Sequence, residues 1–169
     1  VAPEIAEAER LRDSVVRQLE ESDHPGLGQE FRDALEGFVG QIKELAGTRR
    51  EVEQIVSEIP REALQRDLQE LRRKHRGAQT ERMRAEYERS IEEVEKQERS
   101  YHSLKEDAEM IELRINSAMN ALRQVNIDLL RMRTASRGGK AETAEDLRKR
   151  TEELSRYIDD LHSAYEELE

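Results

Sequence analysis

The clearest pattern in the chain is an apolar stripe with helical spacing in its second half. From residue 104 onward, apolar side chains follow one another in alternating steps of four and three, as on the contact face of a packed helix. Their positions are Leu104, Ala108, Ile111, Ile115, Ala118, Leu122, Val125, Leu129 and Met132. No proline or glycine interrupts residues 82–136. The pattern predicts one long helix, from about residue 63 to about residue 136, that needs partner helices to bury its stripe.

Two shorter stripes precede this helix and predict an antiparallel hairpin. The first lies on a helix over residues 3–22 and the second on a helix over residues 29–59. Between them, Pro25 and two glycines form the strongest turn signal in the sequence. Folding the chain at this turn places Leu19 opposite Phe31 and Ile5 opposite Leu45, so the two stripes face each other along their length.

The second connection, at Pro60, leaves two alternatives. A proline inside a helix costs about 3 kcal/mol, so the helix is expected to break there. A reversal would place Val56 opposite Leu68 and Arg49 opposite His75, whereas the alternative is a kinked, continuous helix. We expect the reversal, followed by a helix over residues 61–93. The polar stretch 72–77, which contains a glycine, is a weak place in that helix where a bend or a loop could form.

A third reversal is predicted at Gly138 and Gly139, after which a further stripe occupies residues 141–169. Folding the chain at the two glycines places Leu122 opposite Ile158 and keeps this register over seven layers. The expected product is an antiparallel hairpin of the long helix, which ends near residue 136, with a helix over residues 141–169.

Together these patterns predict an all-α fold, an elongated antiparallel helical bundle or coiled coil built on one long central helix. We expect two domains, an N-terminal helical bundle over residues 1–93 and a C-terminal hairpin over residues 94–169. Neither set of partner helices reaches the middle of the long helix. An uncovered apolar stripe commonly marks an interaction surface. Its expected contact residues are Val94, Tyr101, Leu104 and Ala108.

Composition supports a helical interaction protein and argues against several other classes. Of 169 residues, 40% are charged and 35% hydrophobic, and the net charge is −10, as in long packed helices. The acidic balance argues against nucleic acid as a partner. Without cysteine there is no thiolate site, and no apolar run is long enough for a membrane span. No signal peptide is visible, so we expect a cytoplasmic protein or the soluble portion of a longer one. The start without methionine suggests the latter.

Two basic clusters stand out against this acidic background. Aromatic residues, which stack on bases, do not interleave with them, and acidic neighbours largely neutralise the second. The clusters are Arg72, Arg73, Lys74 and Arg76, and Arg131, Arg133, Arg137 and Lys140. We interpret them mainly as solvated faces that form ion pairs, and a membrane surface is the less favoured partner.

The sequence offers little support for an enzyme. The pair Glu98 and His102 has metal-ligand spacing but no companion ligands, and no phosphate-binding or nucleophile motif occurs. We therefore expect no catalytic residues, no metal, no cofactor and no small-molecule substrate. The expected function is a non-enzymatic scaffold or spacer that mediates protein–protein interaction or self-association. The alternative is a membrane-surface or filament-forming helical protein that acts through the basic clusters.

The layout resembles in outline that of spectrin-type repeats and of helical hairpins in membrane-remodelling proteins. The chain lacks tryptophan, which many spectrin-type repeats contain, and its first helix is rich in Glu instead of basic. No family is assigned on this resemblance.

Overall fold

The computed structural model describes residues 2–21 and 25–137, together with residues 148, 149, 152, 153, 156 and 159. In this part of the chain the ordered elements are four helices: α1 (Pro3–Glu20), α2 (Pro25–Glu58), α3 (Arg61–Arg76) and α4 (Glu81–Arg137). No strand occurs among the described residues. The predicted all-α fold is confirmed.

The chain forms two compact units, and their composition differs from the two expected domains. One unit contains Val1–Thr48 and the chain from Ile111 onward, and the other contains Arg49–Met110. The expected division at residues 93 and 94 therefore does not separate them. The physical reason is that α2 and α4, with 34 and 57 residues, are long enough to contribute to both units.

In the first unit, α1 and α2 form the antiparallel hairpin that the stripes predict. Three ion pairs follow its register. As the residue on α1 advances from Glu9 to Arg12 to Glu20, its partner on α2 recedes from Lys43 to Glu36 to Arg32. The buried side chains of α1 and α2 include Ala8, Val15, Leu19, Phe31, Leu35, Phe38, Val39, Ile42, Leu45 and Ala46.

The C-terminal part of α4 completes this core and runs parallel to α1. Arg123 Nε donates a hydrogen bond of 2.8 Å to Glu7 Oε1 near the start of α1, and Arg133 pairs with Glu21 just after its end. The α4 side chains in the core are Ile111, Ile115, Ala118, Met119, Leu122 and Leu129. The sequence assigned this stripe to a hairpin with residues 141–169, but that register falls outside the described residues. The six described residues of that stretch are helical and exposed.

The break at Pro60 is present, whereas the expected register of α2 against α3 stays a prediction. Pro60 has φ −80° and ψ 70°, and the Arg61 N–H donates to the Ile59 carbonyl at 2.9 Å, which is an inverse γ-turn. The expected reversal placed Arg49 opposite His75. Instead, Arg49 pairs with Glu53, and His75 Nε2 lies 3.1 Å from Glu88 Oε1 on α4. α3 therefore has α4 as a partner, and the end of α2, from Arg49, belongs to the same unit.

The long helix expected from residue 63 is interrupted at residues 77–80. α3 ends at Arg76, with Gly77 as its C-cap. The N-cap of α4 is Thr80, whose Oγ1 accepts a hydrogen bond of 3.2 Å from the Met83 N–H. This cap satisfies a donor that the first turn would otherwise leave unpaired. The helix expected over residues 61–93 is therefore two helices. The break begins at Gly77, the last residue of the predicted weak stretch 72–77, whose other residues are helical.

In the second unit, α3 and the first turns of α4 form an antiparallel hairpin. Arg72 Nη2 donates to Glu95 Oε1 at 2.9 Å, and His75 contacts Glu88 closer to the connecting turn. The side chains of Leu64 and Leu68 are the buried apolar groups of α3. The hairpin brings the first basic cluster next to the start of α4.

Candidate protein-interaction surfaces

The four residues of the predicted interaction stripe are all half-buried. Val94, Tyr101, Leu104 and Ala108 lie on α4 in the second unit. The guanidinium of Arg61, at the start of α3, lies 4.9 Å from the centroid of the Tyr101 ring, a cation–π contact. The expectation that this stripe has no partner within the chain was therefore wrong at Tyr101. The role of the stripe in binding another protein stays a prediction.

The first basic cluster lies at the end of α3 and is partly neutralised. Arg73 contacts Glu70 at 2.6 Å and Lys74 contacts the same carboxylate at 3.8 Å. The hydrogen bond from Arg73 lowers the pKa of Glu70 below its usual value and raises the pKa of Arg73. Within the described residues Arg76 is exposed and has no ion pair. The cluster thus keeps cationic groups at the surface beside one bound carboxylate.

A groove of about 380 Å³ opens between α3 and α4 beside this cluster. Met83 and Tyr87, one turn apart on α4, supply its apolar lining, and Arg73 and Lys74 line its basic side. Met83 is 45% exposed, whereas Tyr87 is half-buried. The groove combines apolar and cationic surface, and it lies wholly within the second unit.

The second basic cluster is only partly within the described structure. Arg131 is exposed on α4, and Arg133 pairs with Glu21. The placement of the Arg137 side chain and of Lys140 lies outside the described part of the chain. Next to Arg131, an open groove of about 490 Å³ is lined by Ile127, Leu130 and Thr134.

Exposed apolar side chains on α4 form a surface that the sequence analysis missed. Met110 is 40% exposed, Leu113 62%, Ile127 43% and Leu130 45%. These residues lie off the heptad stripe, from which the contact residues were predicted. The signal available in the sequence was that large apolar residues occupy positions beside the stripe, where a helix with one buried face normally carries polar ones.

The exposed apolar residues at 110 and 113 lie in an acidic stretch of α4. Residues 106–113 contain four carboxylates and no basic residue, and we call them the acidic segment. Four exposed residues of the acidic segment share one side of the helix, because each lies three or four positions from another of them. They are Glu106, Glu109, Met110 and Leu113. The acidic segment therefore presents apolar side chains among negative charges.

Neither a metal site nor a membrane span is found in the described part of the structure. No group of three or more His, Asp or Glu side chains there is placed to hold a metal ion. His102, one member of the candidate pair, packs edge-on against the Tyr101 ring with centroids 5.4 Å apart. No helix among the described residues is both long enough and apolar enough to cross a lipid bilayer.

Comparison of the chain with protein-family models, with curated proteins and with solved structures gives no match.

Proposed function

We propose that this protein is a non-enzymatic helical scaffold that binds protein partners on the exposed side of α4. The observation that supports this most is the exposure of Met110, Leu113, Ile127 and Leu130 on one helix that also supplies the core. Burying a Leu or Ile side chain is worth about 1.5–3 kcal/mol. A partner that covers several of these side chains gains a large part of its binding free energy from them.

A site-specific photocrosslinking experiment tests this proposal. A photoreactive amino acid replaces Leu113 or Leu130 in the full chain, and the protein is irradiated in the cells that produce it. We expect discrete crosslinked species from both positions. Arg66, exposed on α3, is the control position and should give none. Absence of discrete species from both α4 positions, or the same species from Arg66, would contradict the proposal.

A second candidate function is binding to an anionic membrane surface. Residues 72–84 contain six Lys and Arg residues and one Glu, which gives a local net charge of +5 in an acidic protein. We call this stretch the basic tip. Polybasic surfaces of this kind bind anionic lipids, and each cation near the surface contributes about 1 kcal/mol. Co-sedimentation with vesicles containing about 30% phosphatidylserine, compared with neutral vesicles, tests this candidate, and equal pelleting would exclude it.

A further inference from the structure

We infer that the groove between α3 and α4 binds the acidic segment of a second copy of this chain, with Leu113 as the inserted side chain. This inference rests on the proposed scaffold function and names one partner for the surface of α4. It joins a groove in the second unit of one molecule to a helix surface of another molecule.

The groove is suited to an apolar side chain that arrives among negative charges. Its apolar lining comes from Met83 and Tyr87, and its basic side comes from Arg73 and Lys74. Exposed Arg76 and Arg82, which have no ion pair in the described structure, lie on either side of the connecting turn. An incoming carboxylate can therefore pair with a cation that has no partner in the free chain.

The acidic segment has the complementary surface. Leu113 is the most exposed of the large apolar side chains in the described structure, at 62%. Met110, Glu109 and Glu106 lie three, four and seven residues before it, on the same side of α4. Insertion of Leu113 into the groove would bring the two glutamates toward the basic side.

The charge distribution of the whole chain favours a second copy as the occupant. The chain carries −10 and the basic tip carries +5, so the rest of the chain carries −15. Copies therefore attract one another in an arrangement that sets the tip against an acidic surface, and repel one another in arrangements that do not. A concave groove with an apolar lining also fits an inserted side chain better than a flat layer of lipid headgroups.

The groove and the acidic segment use different stretches of α4. The groove uses Met83 and Tyr87, whereas the acidic segment begins at residue 106. Because groove and acidic segment are different surfaces, the contact is heterologous, and each added copy offers a fresh groove or a fresh segment.

Sedimentation velocity of the full chain tests this inference. At about 50 mM NaCl we expect assemblies that grow with protein concentration, and at about 500 mM NaCl we expect association at least about tenfold weaker, because salt screens exposed charges. The variants Arg73→Glu/Lys74→Glu and Met83→Ser abolish binding by the groove. The variant Leu113→Arg abolishes binding by the acidic segment. Each variant should stay monomeric at low salt while its far-ultraviolet circular dichroism remains helical.

A mixing experiment then identifies the two surfaces as partners. Equimolar Arg73→Glu/Lys74→Glu and Leu113→Arg proteins keep one intact surface each, so their mixture should form complexes of two molecules and grow no further. The matched control, Arg66→Glu/Arg99→Glu, makes the same change in charge at exposed positions outside the groove and should assemble like the wild type.

Three results would overturn the inference: a wild-type chain that is monomeric at low salt, assembly that survives loss of the groove, or mixed variants that do not associate. Pelleting of a monomeric wild type with phosphatidylserine vesicles would assign the basic tip to a membrane surface instead. If self-association fails while the photocrosslinks at Leu113 and Leu130 contain other proteins, the scaffold proposal stands and only the second copy is excluded.

Discussion

At the scale of single residues, the contact between α1 and α4 depends on a small polar cluster beside the apolar core. Asn126 Oδ1 accepts hydrogen bonds from Gln18 Nε2 at 2.8 Å and from Ser14 Oγ at 3.1 Å. These groups are partly buried, so a donor that loses its acceptor there is costly. A polar group inside a helix interface also favours one register over its neighbours.

Asn126→Ala should therefore lower the free energy of unfolding by about 1–2 kcal/mol, because two donors lose their common acceptor. Urea denaturation followed by circular dichroism measures this change. Asn120→Ala is the matched control on the same helix. Asn120 is exposed, and within the described residues its hydrogen bond is a local one from Arg123. Its loss should therefore change stability by less than about 0.5 kcal/mol. Equal effects of the two substitutions would mean that the cluster does not stabilise the interface.

The carboxylate of Glu70 should titrate below the usual range for glutamate. Its pKa is lowered chiefly by the hydrogen bond from Arg73. Since the pKa is lower in the folded state, this interaction stabilises the fold above the ordinary glutamate pKa and is lost as the pH falls through the lowered value. NMR detection of the Glu70 side-chain carboxyl carbon measures its titration midpoint.

Arg73→Gln should move that midpoint of Glu70 upward. Glu9 serves as the internal control, because its pKa is lowered mainly by a hydrogen bond from Lys43 in the other unit, and it should titrate unchanged. A Glu70 midpoint that does not respond to Arg73→Gln would show that the pair does not persist in solution.

At the scale of elements, the break between α3 and α4 depends on a cap more than on the glycine. Thr80→Ala removes the hydroxyl that accepts the Met83 N–H, and we expect a loss of about 1 kcal/mol. Gly77 has φ −90° and ψ 0°, and an added Cβ would lie 3.7 Å from the nearest atom, the Lys74 carbonyl oxygen. Gly77→Ala should therefore be neutral or stabilise the chain by up to about 1 kcal/mol.

Thermal and urea unfolding of the two variants provide the comparison. Thr80→Ser, which keeps the hydroxyl, is the control and should unfold close to the wild type. If Gly77→Ala proves more damaging than Thr80→Ala, the assignment of the break to the cap is incorrect.

The sequence predicted elements well where their signals are local. Apolar stripes on both sides of a stretch with Pro25 and two glycines were enough to predict the α1–α2 hairpin, and its ion pairs follow the expected register. The expected start of the second helix at residue 29 was wrong, because Pro25 and both glycines form the first turn of α2. Pro60 marked a break for an equally local reason. Thr80 is of a residue type that caps helices, but the prediction was one helix over residues 61–93 with a weak place at residues 72–77.

The sequence could not show which helices pack together when they lie far apart in the chain. A heptad stripe indicates that a helix has a partner, but not which one. The stripe around Leu122 predicted packing against residues 141–169, whereas the buried residues of the described structure around it belong to α1 and α2. The hydrogen bonds to Asn126 join residues more than one hundred positions apart, and no local pattern predicts them. The exposure of Leu113 could not be predicted for a related reason, since exposure depends on which side of α4 the other helices leave uncovered.

At the scale of the whole molecule, α4 has two roles. It supplies core side chains such as Ile115 and Leu122, and it displays Leu113, Ile127 and Leu130 to solvent. Both roles follow from the position of α1 and α2 on one side of α4. The candidate interaction surfaces of this helix therefore depend on α1 lying beside it in parallel orientation.

Distances between spin labels on α1 and α4 test this arrangement most directly. Labels replace exposed residues in four pairs, measured by double electron–electron resonance in monomeric protein at high salt. The parallel arrangement predicts short distances for Ala6 with Asn120 and for Arg17 with Leu130, and longer ones for the exchanged pairs, Ala6 with Leu130 and Arg17 with Asn120. If the exchanged pairs are the shorter ones, or all four are long, α1 does not lie along α4 as described.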